Sequence, residues 1–296
     1  MIPHVTICIC TLKRPALLQS LLTALQDQET SGRFTFSIVV VDNDSAESAR
    51  PIVSTISQNT NVEIVYCTER LRNIAVVRNT ALGNASGGFI AFIDDDERPE
   101  RNWLLNLMDT AEKYQVDGVL GPVRPSFETS PPQWVTKGRF CDRPEYQTGR
   151  LMSWNECRTG NVLFRRSLVQ GVSEPFSPRF PTGGEDMDFF LRMERAGARF
   201  VWCNEAVAYE TVPPSRLTRS YMFKRALLRG RNILKHQHSW RLVATSIVAV
   251  PCYLLMLPFT LLGGESVFMK YCIKLCDHTG RLLASLNLNP VAQRDL

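Results

Sequence analysis

Residues 94–97 read Asp-Asp-Asp-Glu and follow directly on the apolar run 89–93. Neighbouring carboxylates resist ionising together. Such a cluster is stable when a cation relieves the repulsion or when it lies fully in solvent. Hard oxygen donors at a strand end suit Mg²⁺ or Mn²⁺, which take a few carboxylates together with a substrate's phosphates. A cation held there neutralises a diphosphate leaving group. The plain alternative is a solvated acidic turn. A second acidic pair, Glu185-Asp186, follows Gly183-Gly184 and precedes Phe189, Phe190 and Met193 at helical spacing. A carboxylate positioned there can take a proton from a hydroxyl. The helix N-terminus weakens it as a base, and its acidic neighbour strengthens it. The plain alternative is helix capping by acidic residues in the first turn.

The elements that must position these groups are legible as periodicities. Val5–Cys10, Phe36–Val41, Asn61–Tyr66, Gly88–Ile93 and Gly118–Val123 read as strands. Leu17, Leu18, Leu21, Leu22 and Leu25 have helical spacing after Pro15, and Asn73–Ala85 and Trp103–Tyr114 read as further helices. The strands are apolar throughout rather than alternating. That is the pattern of an α/β fold with a mostly parallel sheet covered on both faces. Ligands in such sheets bind beyond the carboxyl ends of the strands. Three strand ends carry polar clusters, at Thr11–Arg14, Asp42–Ser45 and Asp94–Glu97, and these should converge on one crevice. Residues 124–160 are rich in Pro, Gly and polar side chains and read as long binding loops.

The chain has 296 residues, 44% of them hydrophobic and 21% charged, with a net charge of +5. The composition is globular, and the modest basic excess makes no case for nucleic acid. The excess is local: residues 216–241 carry eight Lys or Arg and no acidic residue. Nine dispersed cysteines without a CxxC pair or zinc spacing indicate a reducing compartment and no zinc site. The N-terminus lacks a basic segment followed by an apolar core, so no signal peptide is expected. Residues 242–262 contain no charge and are just long enough to cross a hydrocarbon layer of ~30 Å. Pro251 and Pro258 interrupt the run, and basic residues flank both ends. A bent hairpin entering one leaflet fits better than a full crossing, and the plain alternative is a buried core helix. The expected division is a globular domain over 1–235 and membrane-associated helices over 236–296.

Five stretches, in order, carry a family resemblance: VTICICTLKRP, IVVVDNDS, NIAVVRNTALGNASGGFIAFIDDDE, TGNVLFRR and GGEDMDFFLRMERAG. Together they resemble the family 2 inverting glycosyltransferases of the GT-A fold, over about residues 4–230. The tail resembles the bacterial exopolysaccharide branch of that family, the succinoglycan glucosyltransferase type. The resemblance implies a UDP-sugar donor, Mn²⁺ or Mg²⁺ as cofactor, and a polyprenyl-diphosphate-linked saccharide acceptor at the cytoplasmic face of the inner membrane. It implies that Thr11 and Arg14 line the nucleotide pocket and that Asp42 and Asp44 hold the uracil or ribose. Arg78 would lie near base and phosphates. Asp94 and Asp95 would touch the ribose and metal shell, and Asp96 would bind the cation. Asp186 would be the general base, with Glu185 beside it in the acceptor site.

Two departures stand out. The QxxRW motif of processive members is absent, so one sugar is expected per acceptor. Where related sequences place a His before a VPP-like turn, this chain has Glu210, which can still bind a hard cation. Arg216, Arg219, Arg225 and Arg229 could grip a diphosphate or simply form a solvated basic face. A haloacid-dehalogenase-like phosphohydrolase also places DxD after an apolar strand. Its second Asp is followed two residues on by Thr or Val, where this chain has Arg98. A dinucleotide-binding dehydrogenase needs glycines that CTLKRP lacks. A non-enzymatic membrane scaffold would leave the acidic clusters without a purpose.

Overall fold

The computed structural model describes residues 2–181, 183–237 and 240–288. Along the chain run β1 (His4–Thr11), α1 (Pro15–Gln26), β2 (Thr35–Asp42), α2 (Arg50–Ser57), β3 (Ile64–Thr68), α3 (Ile74–Gly83), β4 (Phe89–Phe92), β5 (Glu97–Pro99) and α4 (Trp103–Tyr114). They are followed by β6 (Gly118–Leu120), β7 (Val123–Phe127), α5 (Gln133–Gly138), β8 (Val162–Arg165), α6 (Glu185–Arg195), β9 (Phe200–Trp202) and β10 (Ala208–Val212). The last elements are α7 (Arg219–Gln237), α8 (Trp240–Thr260) and α9 (Glu265–Ser285). The chain divides into two compact units, one from Met1–Arg124 and Arg143–Glu210, the other from Pro125–Asp142 and Thr211–Asp295. The domain boundary expected at 235 falls inside α7.

The first unit is built on a seven-stranded sheet in the order β3-β2-β1-β4-β8-β6-β9. Among these only β8 runs against its neighbours; the other pairings are parallel. Both faces of the sheet are covered, which is why its strands are apolar throughout. On one face Ile7, Ile9, Ile38 and Val40 pack with Leu18, Leu22 and Leu25 of α1 and Trp103, Leu104 and Leu107 of α4. On the other, Cys8, Val39 and Val41 pack with Val77 and Ala81 of α3, Phe189 and Phe190 of α6, and Phe164 and Phe176.

Some boundaries differ from the periodicity. The third strand begins at Ile64 rather than Asn61, because Val62 N–H bonds the Thr60 hydroxyl in a turn (3.1 Å). The expected strand Gly118–Val123 is split into β6 and β7 at Gly121-Pro122. Pro122 has no N–H to give a ladder, and a Cβ on Gly121 would sit 2.2 Å from the Ala206 carbonyl oxygen. The stretch 124–160 contains β7 and α5 as well as loops. A second sheet, of three strands, has the order β5-β10-β7.

In the second unit α7 and α9 cross at two glycines. A Cβ on Gly230 would lie 2.1 Å from the Asp277 carbonyl oxygen, and one on Gly280 would lie 2.3 Å from that of Leu227. Arg229 clamps the nearly buried Asp277 carboxylate with two bonds of 2.8 and 2.7 Å beside this crossing. Trp134, Val135, Met222 and Met269 form the unit's small core. Pro251 and Pro258 do not interrupt α8, which continues through both. The most apolar 18 residues within 240–263 have a mean hydropathy of 2.1, and only 6% of them are buried, so this is not a core helix. Gly264, at φ +86°, turns the chain into α9.

Candidate active site

The chain builds β1, β2 and β3 outward in one direction and then returns to place β4 on the other side of β1. A parallel sheet opens a crevice at such a reversal, and the crevice here lies beyond β1 and β4. Thr11 ends β1, and its strand register sets it beside Asp42 of β2. Arg14 follows one turn later, and Asp94–Asp96 follow β4. The Thr11 hydroxyl donates to Asp95 Oδ2 (2.8 Å). Arg14 Nη1 donates to Asp95 Oδ1 (2.9 Å) and Asp96 Oδ2 (3.2 Å). Burial pushes the Asp95 carboxyl up to about 6, against the pull of Arg14 and Thr11. Two of the three strand ends expected to converge, those of β1 and β4, are thus in direct contact.

A second group stands at the start of α6. Gly183 (φ +118°) and Gly184 (φ +102°) adopt left-handed backbone, which glycine tolerates and branched residues do not. That turn delivers Glu185 into the interior and leaves Asp186 half-buried. Arg78 of α3 pairs with Glu185 Oε1 and lies 3.8 Å from Asp94, so it links the two acidic stretches. Among the described residues Glu185 Oε2 has no hydrogen-bond partner. Burial raises its carboxyl to about 7, with Arg78 lowering and Asp186 raising it. Asp186 Oδ1 accepts the Met187 N–H (2.8 Å), so its first-turn position does serve the helix end, as the plain reading held. The segment after β8 is tied to α3 here: Asn73 donates to the Pro178 carbonyl (2.9 Å) and Asn79 to that of Phe176 (2.8 Å).

A third group was not visible in the sequence. Glu97 of β5 faces Glu210 of β10 in antiparallel register, and like charges so placed repel. Arg143 relieves them: it pairs with Glu210 and lies 3.9 Å from Glu97 Oε1. The Glu97 side chain is 0% exposed. Its Oε2 accepts the Asp94 N–H (3.3 Å), and its Oε1 lacks a hydrogen-bond partner. Burial, with Asp94 next, pushes its carboxyl well above the usual range. Arg143 lies in a loop with no spacing signal, and only Glu210, at the departure from the family pattern, pointed here.

Asp42 and Asp44 are brought to the crevice's β2 side, but both serve their own turn. Asp42 is fully buried and accepts N–H bonds from Asp44 and Ala49 (both 2.9 Å) and the Tyr66 hydroxyl (3.0 Å). Asp44 accepts the Ala46 N–H (3.3 Å). Arg219 and Arg229 pair with Glu265 and Asp277, within the second unit, instead of standing ready for a diphosphate.

These residues fit a divalent cation by charge. Asp94 and Asp96 stand as carboxylates at the end of β4, and among the described residues Glu97 Oε1 is a buried oxygen without a hydrogen-bond donor. Among the described residues no three acidic, His or Cys side chains form a ready cage. Mg²⁺ and Mn²⁺ need none, since one or two carboxylates plus waters and substrate phosphates suffice. Asp94 and Asp96 supply that number.

Residues 6–172 match the sequence profile of glycosyl transferase family 2. The chain belongs to glycosyltransferase family 2. Within the family it is 34% identical, over 232 residues, to succinoglycan biosynthesis protein ExoM of Rhizobium meliloti (strain 1021), covering 77% of this chain and 73% of that protein. It is 26% identical to the chondroitin synthase of Pasteurella multocida (strain Pm70), over 71% of this chain and 25% of that one. Among solved structures, S. aureus TarS 1-349 in complex with UDP aligns with a TM-score of 0.56 at 16% identity, over 96% of this chain and 90% of that one. The same TarS segment in complex with UDP-GlcNAc also aligns at 0.56, over 97% and 93%. That likeness shows the fold, a central, mostly parallel sheet flanked by helices as in GT-A glycosyltransferases. The family 2 enzyme transfers a glycosyl group, and the phosphohydrolase and scaffold readings fall away.

Proposed function

We propose that this family 2 enzyme transfers one hexose, with inversion and without processivity, from a UDP-sugar to a lipid-linked saccharide in surface or exopolysaccharide synthesis. The observation that carries the reading is the convergence of Arg14–Asp95–Asp96 with Asp94–Arg78–Glu185 beyond β1 and β4. Thr11 and Arg14 hold Asp95 at the nucleotide side, with Asp42 and Asp44 shaping the wall of the base pocket. Asp96 and Asp94 would hold Mg²⁺ or Mn²⁺, with Glu210 as a further oxygen donor. The cation, when bound, neutralises the charge of the departing diphosphate. Asp186 takes the proton from the acceptor hydroxyl. The hydroxyl oxygen then attacks the anomeric carbon from the face opposite the diphosphate, and UDP leaves with the bonding electron pair. Arg78, between Asp94 and Glu185, fixes the spacing of the donor and acceptor sides.

The donor class is supported by the UDP and UDP-GlcNAc complexes of TarS. The pathway class is supported by the naming of ExoM as a succinoglycan biosynthesis protein. The exposed apolar α8 supports a membrane-associated tail, 236–296, that brings the transferase domain, 1–235, to a polyprenyl-diphosphate acceptor at the cytoplasmic face. Residues 238, 239 and 289–296 of that tail lie outside the described residues.

The test is calorimetric titration of UDP and GDP with Mn²⁺, repeated with EDTA and on Asp96→Ala. We expect UDP to bind, GDP not to, and both EDTA and the substitution to abolish binding. Equal binding by Asp96→Ala would sink the metal–nucleotide assignment. Asp186→Asn should retain UDP affinity and lose ~10²–10⁴ in turnover.

A further inference from the structure

Glu97 and Glu210 are the acidic groups that the transfer mechanism uses least, and they are held at a cost. They face each other across paired strands, Glu97 is fully buried, and one of its oxygens has no hydrogen-bond partner. A buried carboxyl that is to be ionised needs a counter-ion beside it. Arg143 supplies that charge, paired with Glu210 and 3.9 Å from Glu97. The pair is not isolated from the reaction site. Gly160 has no side chain, and a Cβ there would lie 2.7 Å from Glu97 Oε1 and 3.0 Å from Asp94 Oδ2. Those two oxygens therefore flank the same small space. Asp94 also gives its N–H to Glu97 (3.3 Å).

We propose that Arg143 is a resident counter-ion that competes with the divalent cation for Glu210, and so sets how much cation the enzyme needs. The inference rests on the metal-dependent reading of the site. Arg143 holds one oxygen of Glu210 and offsets the negative charge that a metal would find there, so guanidinium and cation each weaken the other's hold on this carboxylate. When the cation takes Glu210, the Arg143 guanidinium shifts its charge toward Glu97, whose Oε1 still lacks a donor. Arg143 is thus a positioning residue that trades partners, and Glu97 is the acceptor that makes the trade affordable.

The experiment is UDP calorimetry on the full chain at a series of Mn²⁺ concentrations, reading the Mn²⁺ concentration that gives half of the maximal UDP affinity. Arg143→Gln should lower that midpoint about tenfold while leaving UDP affinity at saturating Mn²⁺ unchanged. Arg143→Lys should restore a midpoint near the parent value. Glu210→Gln should raise the midpoint, and combining it with Arg143→Gln should abolish the gain. An unchanged or raised midpoint in Arg143→Gln overturns the proposal. So does weaker UDP binding at every Mn²⁺ concentration, which would make Arg143 a phosphate contact. If the parent chain binds UDP without any Mn²⁺ dependence, the metal reading falls together with this inference. If that dependence is present and lost in Asp96→Ala while Arg143→Gln changes nothing, only this inference falls. Should Arg143→Gln not fold, the Glu210→Gln midpoint decides, since an unchanged value removes Glu210 from the competition.

Discussion

Glu185 shows how one buried carboxyl ties stability to pH. Burial lifts it to about 7, above its ordinary value of 4.5. Between these two values the folded chain binds a proton that the unfolded chain has lost, so its contribution to stability falls as pH rises. Below the ordinary value there is no penalty, and above about 7 it is complete. Glu185→Gln should therefore gain in melting temperature relative to the parent between pH 5 and pH 8, by a few °C. The unpaired Arg78 adds an offset that does not depend on pH, so the slope is the readout of a thermal melt series. A flat difference would show that Glu185 stays ionised throughout. Gly160→Ala tests the crowding at the other end of the site. Its Cβ must displace Asp94 or Glu97, and turnover should fall at least tenfold together with a lower melting temperature.

At the scale of elements, α7 and α9 depend on close backbone approach at Gly230 and Gly280 as well as on the buried Met222 and Met269. Gly230→Ala pushes a Cβ into the Asp277 carbonyl, and overpacking of this kind costs ~1–3 kcal/mol or more. Gly83→Ala, at the end of α3, meets nothing within 4 Å. It should be neutral or stabilising by ~0.5–1 kcal/mol. Denaturant titration of both variants should separate them by several-fold in unfolding equilibrium. The same contrast explains what the sequence made legible. The sheet strands were readable because both their faces are buried and they are apolar throughout, and α4 because it buries one face and leaves a helical period. The Asp94–Asp96 and Glu185-Asp186 clusters were readable because charges stand at element ends. Arg143 and the Glu97–Glu210 pairing were not, because they arise from a register between strands far apart in the chain. The full occupation of Asp42 was hidden for a related reason: its donors, Ala49 N–H and Tyr66, belong to a turn and a neighbouring strand.

At the scale of the whole molecule, the exposed side chains of α8 are what the proposed membrane association rests on. Ile247, Leu254, Leu255 and Phe259 are all exposed. Replacing these four by Ser should shift the full chain from co-floating with anionic phospholipid vesicles to staying in the soluble fraction, with UDP affinity unchanged. Co-flotation as strong as that of the parent would remove α8 from membrane association.

The placement of β8 has a consequence for synthesis. It is the strand between β4 and β6, yet it is made long after β4. During translation at ~5–20 residues per second, the nascent sheet waits several seconds from Phe92 until Val162 arrives. Throughout that interval β4 is an open edge, the kind of surface that recruits other chains. The residues emerging just behind it are Asp94-Asp95-Asp96-Glu97, and charge beside an open edge discourages such pairing. The acidic run at the proposed nucleotide site thus stands where its charge would also shield the edge of an unfinished sheet.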